Sequence, residues 1–191
     1  DDSNASIFPG ALEVDCDLVD QDCDGTDWPI AVAPVGSSWV ADFTSVQDAI
    51  NASLPGDRIC VAPGTYQEQI NFMGQDLELV GAGGASMTTL DANGLGTVVI
   101  LENGETSAAL LKGFTITGGY RNGRSYGLSN DSDDFIAGAG IRVVGSSPSL
   151  QDLVVENNLV EGVGEYVGGG GIFAYNSRLQ MDNLTLQQNI V

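Results

Sequence analysis

Histidine is absent from this chain, and only six Lys or Arg stand against 26 Asp or Glu among its 191 residues. The first absence removes the commonest general base and the usual nitrogen ligand for transition metals. The second leaves a formal charge of −20 and too few, too scattered cations to neutralise a nucleic-acid backbone, so nucleic acid is not an expected partner. No apolar run approaches the roughly twenty residues that a membrane-crossing helix needs. No signal peptide is visible either; the chain begins at Asp1-Asp2, as a processed secreted protein does, and a secreted or cell-surface location is expected. Three cysteines are too few for a disulfide scaffold, so a hydrophobic core has to hold the chain together, and 191 residues suffice for one such core plus a small appended module.

What is present is unevenly placed. Residues 1–27 hold nine of the 26 acidic side chains and no Lys or Arg. Within them Asp20-Gln21-Asp22-Cys23-Asp24-Gly25 is a D-x-D-x-D-G run. Its alternate carboxylates can converge on one hard cation while the intervening side chains turn away, and Gly25 permits the sharp turn that carries the Thr26 carbonyl into the shell. Counting Asp20 as the first loop position, the twelfth is Ala31, so the bidentate Glu of an EF-hand is missing and Asp15, Asp17 or Asp27 has to complete the site. The plain alternative is an acidic leader without fixed structure. The spacing is more specific than acidity, and the expected ion is Ca2+, held by Asp15, Asp17, Asp20, Asp22, Asp24, Thr26 and Asp27.

The same stretch, Phe8-Pro9-Gly10-Ala11-Leu12-Glu13-Val14 followed by Cys16, Asp20, Asp22, Cys23, Asp24, Gly25 and Asp27, resembles the MopE-type metal-binding repeat of secreted and surface bacterial proteins. The resemblance implies a calcium-type site with Cys16 and Cys23 paired, and a bridge there implies an oxidising compartment. Cys60, in Arg58-Ile59-Cys60-Val61-Ala62, reads as a buried strand residue. A thiol-rich transition-metal site is the competing use of these cysteines, disfavoured by the missing histidine and the hard oxygen donors around them.

Beyond about residue 43 the chain repeats itself. Four segments share a polar-Leu/Phe-x-aliphatic pattern ending in Gly, Asn or Gln: Asp76 to Gly81, Gly113 to Gly118, Asp152 to Asn157 and Asn183 to Gln188. Their starts lie 37, 39 and 31 residues apart (76 to 113, 113 to 152, 152 to 183), and their alternation reads as strands with one face inward. A second set falls between them at Ile59 to Val61, Val98 to Leu101, Ile141 to Val144 and Ile172 to Tyr175, with Gly140-Ile141 and Gly171-Ile172 repeating the 31-residue step. Short strands with Gly, Asn and Ser corners predict a solenoid of parallel strands rather than a sandwich of tight hairpins.

Ser45-Val46-Gln47-Asp48 is a capping-box pattern, Val46, Ala49 and Ile50 give one apolar face, and Pro55-Gly56 ends the helix. A helix at about 44–54 therefore caps the first coil and shields its edge strands. The following Gly56-Asp57-Arg58-Ile59-Cys60-Val61-Ala62-Pro63-Gly64-Thr65-Tyr66, with Glu68 just after, resembles the entry segment of right-handed parallel β-helix proteins, the pectin-lyase-like superfamily, over residues 43–191. The expected fold is all-β: a right-handed parallel β-helix solenoid at 43–191 with a short N-terminal capping helix and a small calcium-loop module at 1–30.

That superfamily includes polysaccharide lyases, which need a base for the proton alpha to a uronate and a cation for its carboxylate. Lys112, Arg142 and Arg178 lie in or beside strands, but they read as partners for an acidic surface, and no catalytic residue is assigned. The insertion Tyr120 to Ala139 is the expected recognition loop, with Tyr120, Arg121, Arg124 and Tyr126 as glycan contacts. Asn-x-Ser/Thr sequons at Asn4, Asn51, Asn130 and Asn183 are glycosylation acceptors in a secreted protein. Gln187 to Val191 breaks off where the preceding repeat continues, so a longer chain or an open coil end is expected, the latter inviting head-to-tail filaments. The leading function is a secreted calcium-binding structural or adhesive surface protein that self-associates or contacts cell-surface glycan. The alternatives are a calcium-dependent lyase or a non-catalytic glycan-binding or ice-binding module, the last disfavoured because the outward residues look mixed.

Overall fold

Ser45 opens the one helix found among the described residues, α1 (Val46–Ala52), from an extended conformation with its hydroxyl accepting the Asp48 amide at 3.2 Å. The computed structural model describes residues 4–9, 11, 16, 19, 21, 23, 30–34, 43–124, 136–163 and 167–191. Val46, Ala49 and Ile50 form the buried face, as their spacing predicts. The acidic half of the cap comes from outside the helix. Glu68 takes the amides of Val46 and Gln47 at 2.8 and 3.0 Å and the Ser45 hydroxyl at 2.9 Å, satisfying donors that a helix start leaves open.

Strands β2 (Asp57–Val61), β3 (Gly64–Tyr66) and β4 (Ile70–Asn71) follow, and then β5 (Glu78–Gly81), β6 (Thr88–Asp91) and β7 (Val99–Leu101) repeat the sequence of placements. A third round supplies β8 (Leu110–Lys112), β9 (Thr115–Thr117) and β12 (Ile141–Val144). In the last two rounds single long strands, β13 (Ser149–Glu156) and β17 (Gln180–Gln187), replace the first two short ones, with β16 (Ile172–Tyr175) between them. The result is a mostly β molecule with parallel sheets: nine strands in the larger sheet, and β16-β12-β7-β4 in the smaller. Parallel neighbours are distant in sequence, as when Ile59 faces Leu79, Leu79 faces Leu111, and Val99 faces Ile141, so each link is a crossover through the other sheet. Ile59, Leu79, Leu111 and Leu150 are fully buried in one column, and Ile70, Val99 and Ile141 in another, within one continuous core that also holds Phe72 and Phe114.

The 31-residue step is realised as Leu153 against Leu184 and Ile141 against Ile172, and the 39-residue step as Val154 against Thr115. The 37-residue step is not. Leu79 pairs with Leu111 of β8, whereas Ile116 pairs with Leu90 of β6. Gly113, at φ +78°, breaks the strand into β8 and β9, and the aliphatic pattern on both sides of the break looks alike in sequence. Asp152 and Asn183 hold the same left-handed turn in β13 and β17, at φ +52° and +51°, with the Asn183 amide donating to Asp152 at 2.8 Å. Ile59 to Val61 also belongs to the larger sheet rather than with Val99, Ile141 and Ile172; the two-residue β4 is their fourth member. Alternation reports which face of a strand is buried, not which sheet it joins.

The insertion expected as a long loop begins and ends in strands, β10 (Tyr120–Arg124) and β11 (Ile136–Ala137). These pair in parallel with β14 (Leu159–Val163) and β15 (Val167–Gly168), making a side arm around Ile136, Ala139 and Val160. The pairing step falls from 39 residues at Tyr120 with Leu159 to 31 at Ile136 with Val167, so an extra eight residues between β10 and β11 account for the unequal repeats.

The edges differ. On the smaller sheet, Gln47 of α1 accepts from the Asn71 amide at 2.7 Å and donates to the Asn71 carbonyl at 3.1 Å, standing in for a neighbour of β4. On the larger sheet, the unforeseen β1 (Ile30–Pro34) covers β2 antiparallel. Opposite, β17 leaves Met181 and Leu186 exposed. The outward residues are also less mixed than they look: register aligns Thr65, Thr89, Thr115, Val154 and Thr185 in one column.

Candidate metal centre

The expected ligands Asp15, Asp17, Asp20, Asp22, Asp24, Thr26 and Asp27 lie outside the described residues. The described residues around them show how the acidic segment is fastened. Asn4 starts a turn, accepting the Ser6 amide on its side chain at 3.1 Å and the Ile7 amide on its carbonyl at 3.1 Å. The Phe8 amide then reaches the Gln21 carbonyl at 2.8 Å, and the Gln21 side chain between Asp20 and Asp22 is buried. Those contacts join the start of the segment to its acidic run.

The second tether corrects the disulfide expected between Cys16 and Cys23. Cys16 is bonded to Cys60, 44 residues away, with the Cα atoms 5.5 Å apart, and Cys23 is an exposed free thiol. A spacing of seven residues allows two thiols to meet but does not choose the partner; distance in the folded chain does. Alternation along β2 sends Ile59 and Val61 into the core and Cys60 to the other face, where it remains buried. The antiparallel register then sets Ala31 opposite Cys60 and Ile30 opposite Val61. Both flanks of the stretch 17–29 are therefore held against one short piece of β2. Closing a segment at both ends before an ion arrives removes part of the entropy cost of gathering its carboxylates.

The donor chemistry sorts the metals. No imidazole exists in the chain, and the disulfide takes two of its three cysteine sulfurs, so Cys23 is the one thiol left for a soft ion. Carboxylates and a backbone carbonyl fit a hard cation such as calcium. Among the described residues, no group of three or more His, Cys, Asp or Glu is placed to hold a metal.

The other expected contacts are dispersed. Arg142 is buried, ion-paired with Glu102 and 5.2 Å from the centre of the Phe173 ring, and its guanidinium also donates to the Ala137 carbonyl at 3.4 Å. Arg58 pairs with Glu78 at 2.6 Å and Lys112 with Asp152 at 3.6 Å. On the side arm the Tyr120 hydroxyl donates to Glu161 at 2.8 Å and accepts from Asn122 at 3.1 Å, while Arg121 donates to the Thr97 hydroxyl at 3.4 Å. Arg124 lies in β10, and Tyr126 and Asn130 are outside the described residues. Asn4, Asn51 and Asn183 are exposed. Arg178 lines an open cleft of about 840 Å³ with Ser147, Ser177 and Glu105. The buried Glu105 carboxylate is already spent on the amides of Gly74 and Asn103 and the hydroxyl of Ser146.

A comparison with protein families matches residues 1–27 to Cu-binding_MopE, a putative metal-binding motif. No curated protein and no solved structure matched the chain.

Proposed function

We propose that this chain is an extracellular calcium-binding protein in which a module at residues 1–30 is mounted on a right-handed parallel β-helix at 43–191, serving a structural or adhesive role at the cell surface. The match of residues 1–27 to a metal-binding motif carries the reading. The choice of calcium rests on the oxygen donors and the absence of histidine. The extracellular location is supported by the Cys16–Cys60 disulfide. The β-helix is supported by the crossovers that return each strand beside its parallel predecessor, with handedness following the general preference for right-handed crossovers. Its likeness to the pectin-lyase-like superfamily rests on the sequence pattern.

Calorimetric titration of chelator-treated protein with calcium tests the metal. Binding should be abolished or weakened at least tenfold in Asp22→Ala, and calcium should raise the melting temperature of the parent chain alone. Stronger retention of copper than of calcium, or a melting curve indifferent to both calcium and chelator, would overturn the assignment. Self-association is proposed at the β17 edge, with a second copy as occupant; light scattering in calcium should show oligomers that Leu186→Lys disperses. A lyase is the weaker reading because Arg58, Lys112 and Arg142 are held in ion pairs. A non-catalytic module laid flat on a regular polymer draws on the threonine column, and Thr89→Lys with Thr115→Lys would abolish retention on such a polymer.

A further inference from the structure

Arg58, Lys112 and Arg142 each face a carboxylate, in a chain whose acidic side chains outnumber its basic ones 26 to six. Arg178 does not. Among the described residues its guanidinium meets neither a carboxylate nor another acceptor, and only its backbone is held, its amide donating to the Ser147 hydroxyl at 3.2 Å. The side chain is exposed at the open cleft of about 840 Å³, where the links β7–β8, β12–β13 and β16–β17 lie side by side. Hydrogen bonds stack these corners: the Gly104 amide donates to the Ser146 hydroxyl at 3.1 Å, and the Ser146 amide to the Ser177 hydroxyl at 3.4 Å. Each corner turns on one left-handed residue, Gly104, Gly145 and Asn176, at φ +86°, +62° and +49°. A Cβ on Gly104 or Gly145 would touch nothing within 4 Å, so the glycines leave the cleft unfilled. Glu105 is the one acid in the lining, and its buried carboxylate is engaged by Gly74, Asn103 and Ser146. Among the described residues the side-chain amides of Asn176 and Gln180 make no hydrogen bond, and the Ser147 hydroxyl, which accepts from Arg178, still has its own proton to give.

We propose that this cleft binds a sulfate ester of a sulfated polysaccharide, with Arg178 as its anchor. The planar guanidinium presents paired donors that match two oxygens of such a group. The other donors come from two neighbouring corners and the start of β17, which suits a tetrahedral ester with several terminal oxygens better than a flat carboxylate with two. A sulfate monoester carries a single charge, against about −1.5 to −2 for a phosphate, and so meets less repulsion from a chain of net charge −20. The cleft's volume lies within the roughly 300–1,000 Å³ of small-ligand sites, which leaves room for the sugar that bears the ester. No described residue of the segment 1–30 lines the cleft, so sulfate binding and calcium binding can fail separately.

The experiment is calorimetric titration of the whole chain, in constant calcium and salt, with dextran sulfate, carboxymethyl dextran of matched charge density and plain dextran. Dextran sulfate should bind at least about tenfold more tightly than carboxymethyl dextran, and plain dextran should not bind. Arg178→Gln should weaken dextran sulfate binding at least about tenfold, the size expected for lost charge-assisted hydrogen bonds. Gly145→Asp and Gly145→Asn both tolerate the left-handed corner, as Asn176 does, and differ by one charge facing the cleft. The Gly145→Asp chain should bind about tenfold more weakly than the Gly145→Asn chain. Lys112→Gln removes a cation that does not line the cleft and should bind as the parent does. Circular dichroism melting checks that each variant is folded. No binding of dextran sulfate, equal binding of the sulfated and carboxymethylated polymers, equal losses in Arg178→Gln and Lys112→Gln, or equal binding by the two Gly145 variants would each overturn the proposal.

Discussion

Removing the Cys60 sulfur should separate the two pairings by their effect on stability. In the chain-entropy treatment a cross-link stabilises by restricting the unfolded chain, and the gain grows with the logarithm of the loop it closes. The 44-residue separation of Cys16 and Cys60 corresponds to about 4.0 kcal/mol, and the seven-residue separation of Cys16 and Cys23 (23 − 16) to about 2.4 kcal/mol. Cys60→Ser lets Cys16 pair with Cys23 and should lose the difference, about 1.6 kcal/mol. Cys23→Ser with Cys60→Ser leaves no pair and should lose the whole of about 4 kcal/mol, a fall in melting temperature of about 8–16 °C at this chain length. Cys23→Ser alone leaves the native bond in place and should melt with the parent. Thermal denaturation followed by circular dichroism, without reductant and in constant calcium, reads all three. Equal losses in Cys23→Ser and Cys60→Ser would refute the reasoning, since only a Cys16–Cys23 bond or a packing role for Cys23 would make the exposed thiol matter.

Other outcomes follow from the interior. Asn158 is fully buried, accepts the Gly119 amide at 2.9 Å and donates to the Ile116 and Glu156 carbonyls at 3.1 and 2.9 Å; Asn158→Ala should cost about 2–4 kcal/mol in a denaturant titration by orphaning those groups. Glu68→Ala strips the cap from two amides of α1 and should cost about 1–2 kcal/mol, read as a lower denaturant midpoint at unchanged slope. Tyr66 titrates above its ordinary value of 10.0, first through desolvation by burial and second through the nearby Glu68 carboxylate. Its raised value means the folded state holds the proton more tightly, so its contribution is intact below the unfolded value and is lost as pH rises through the folded one. Ultraviolet titration should show a late phenol component that Tyr66→Phe removes, and a titration curve whose late part is unchanged by Tyr66→Phe would contradict it.

Features that depend only on neighbours along the chain were legible before folding. Val46, Ala49 and Ile50 define a helix face because they recur at helical spacing. Leu153 and Leu184 announce equivalent strands because the side-chain alternation around them is copied 31 residues on. The acidic spacing at Asp20, Asp22 and Asp24 is equally local, and the hard cation it leads one to expect is what the calcium titration tests. Tertiary structure decided everything that joins distant residues. Gly113 splits one pattern between two neighbours, Glu68 caps a helix 22 residues away, β1 returns to cover β2, and Cys16 finds Cys60 instead of the nearer Cys23. Local pattern fixes which side of a strand meets the core, since that follows from the pleat alone. Partners across space follow from where the crossovers and corners return the backbone, and that geometry exists only once the sheets have formed.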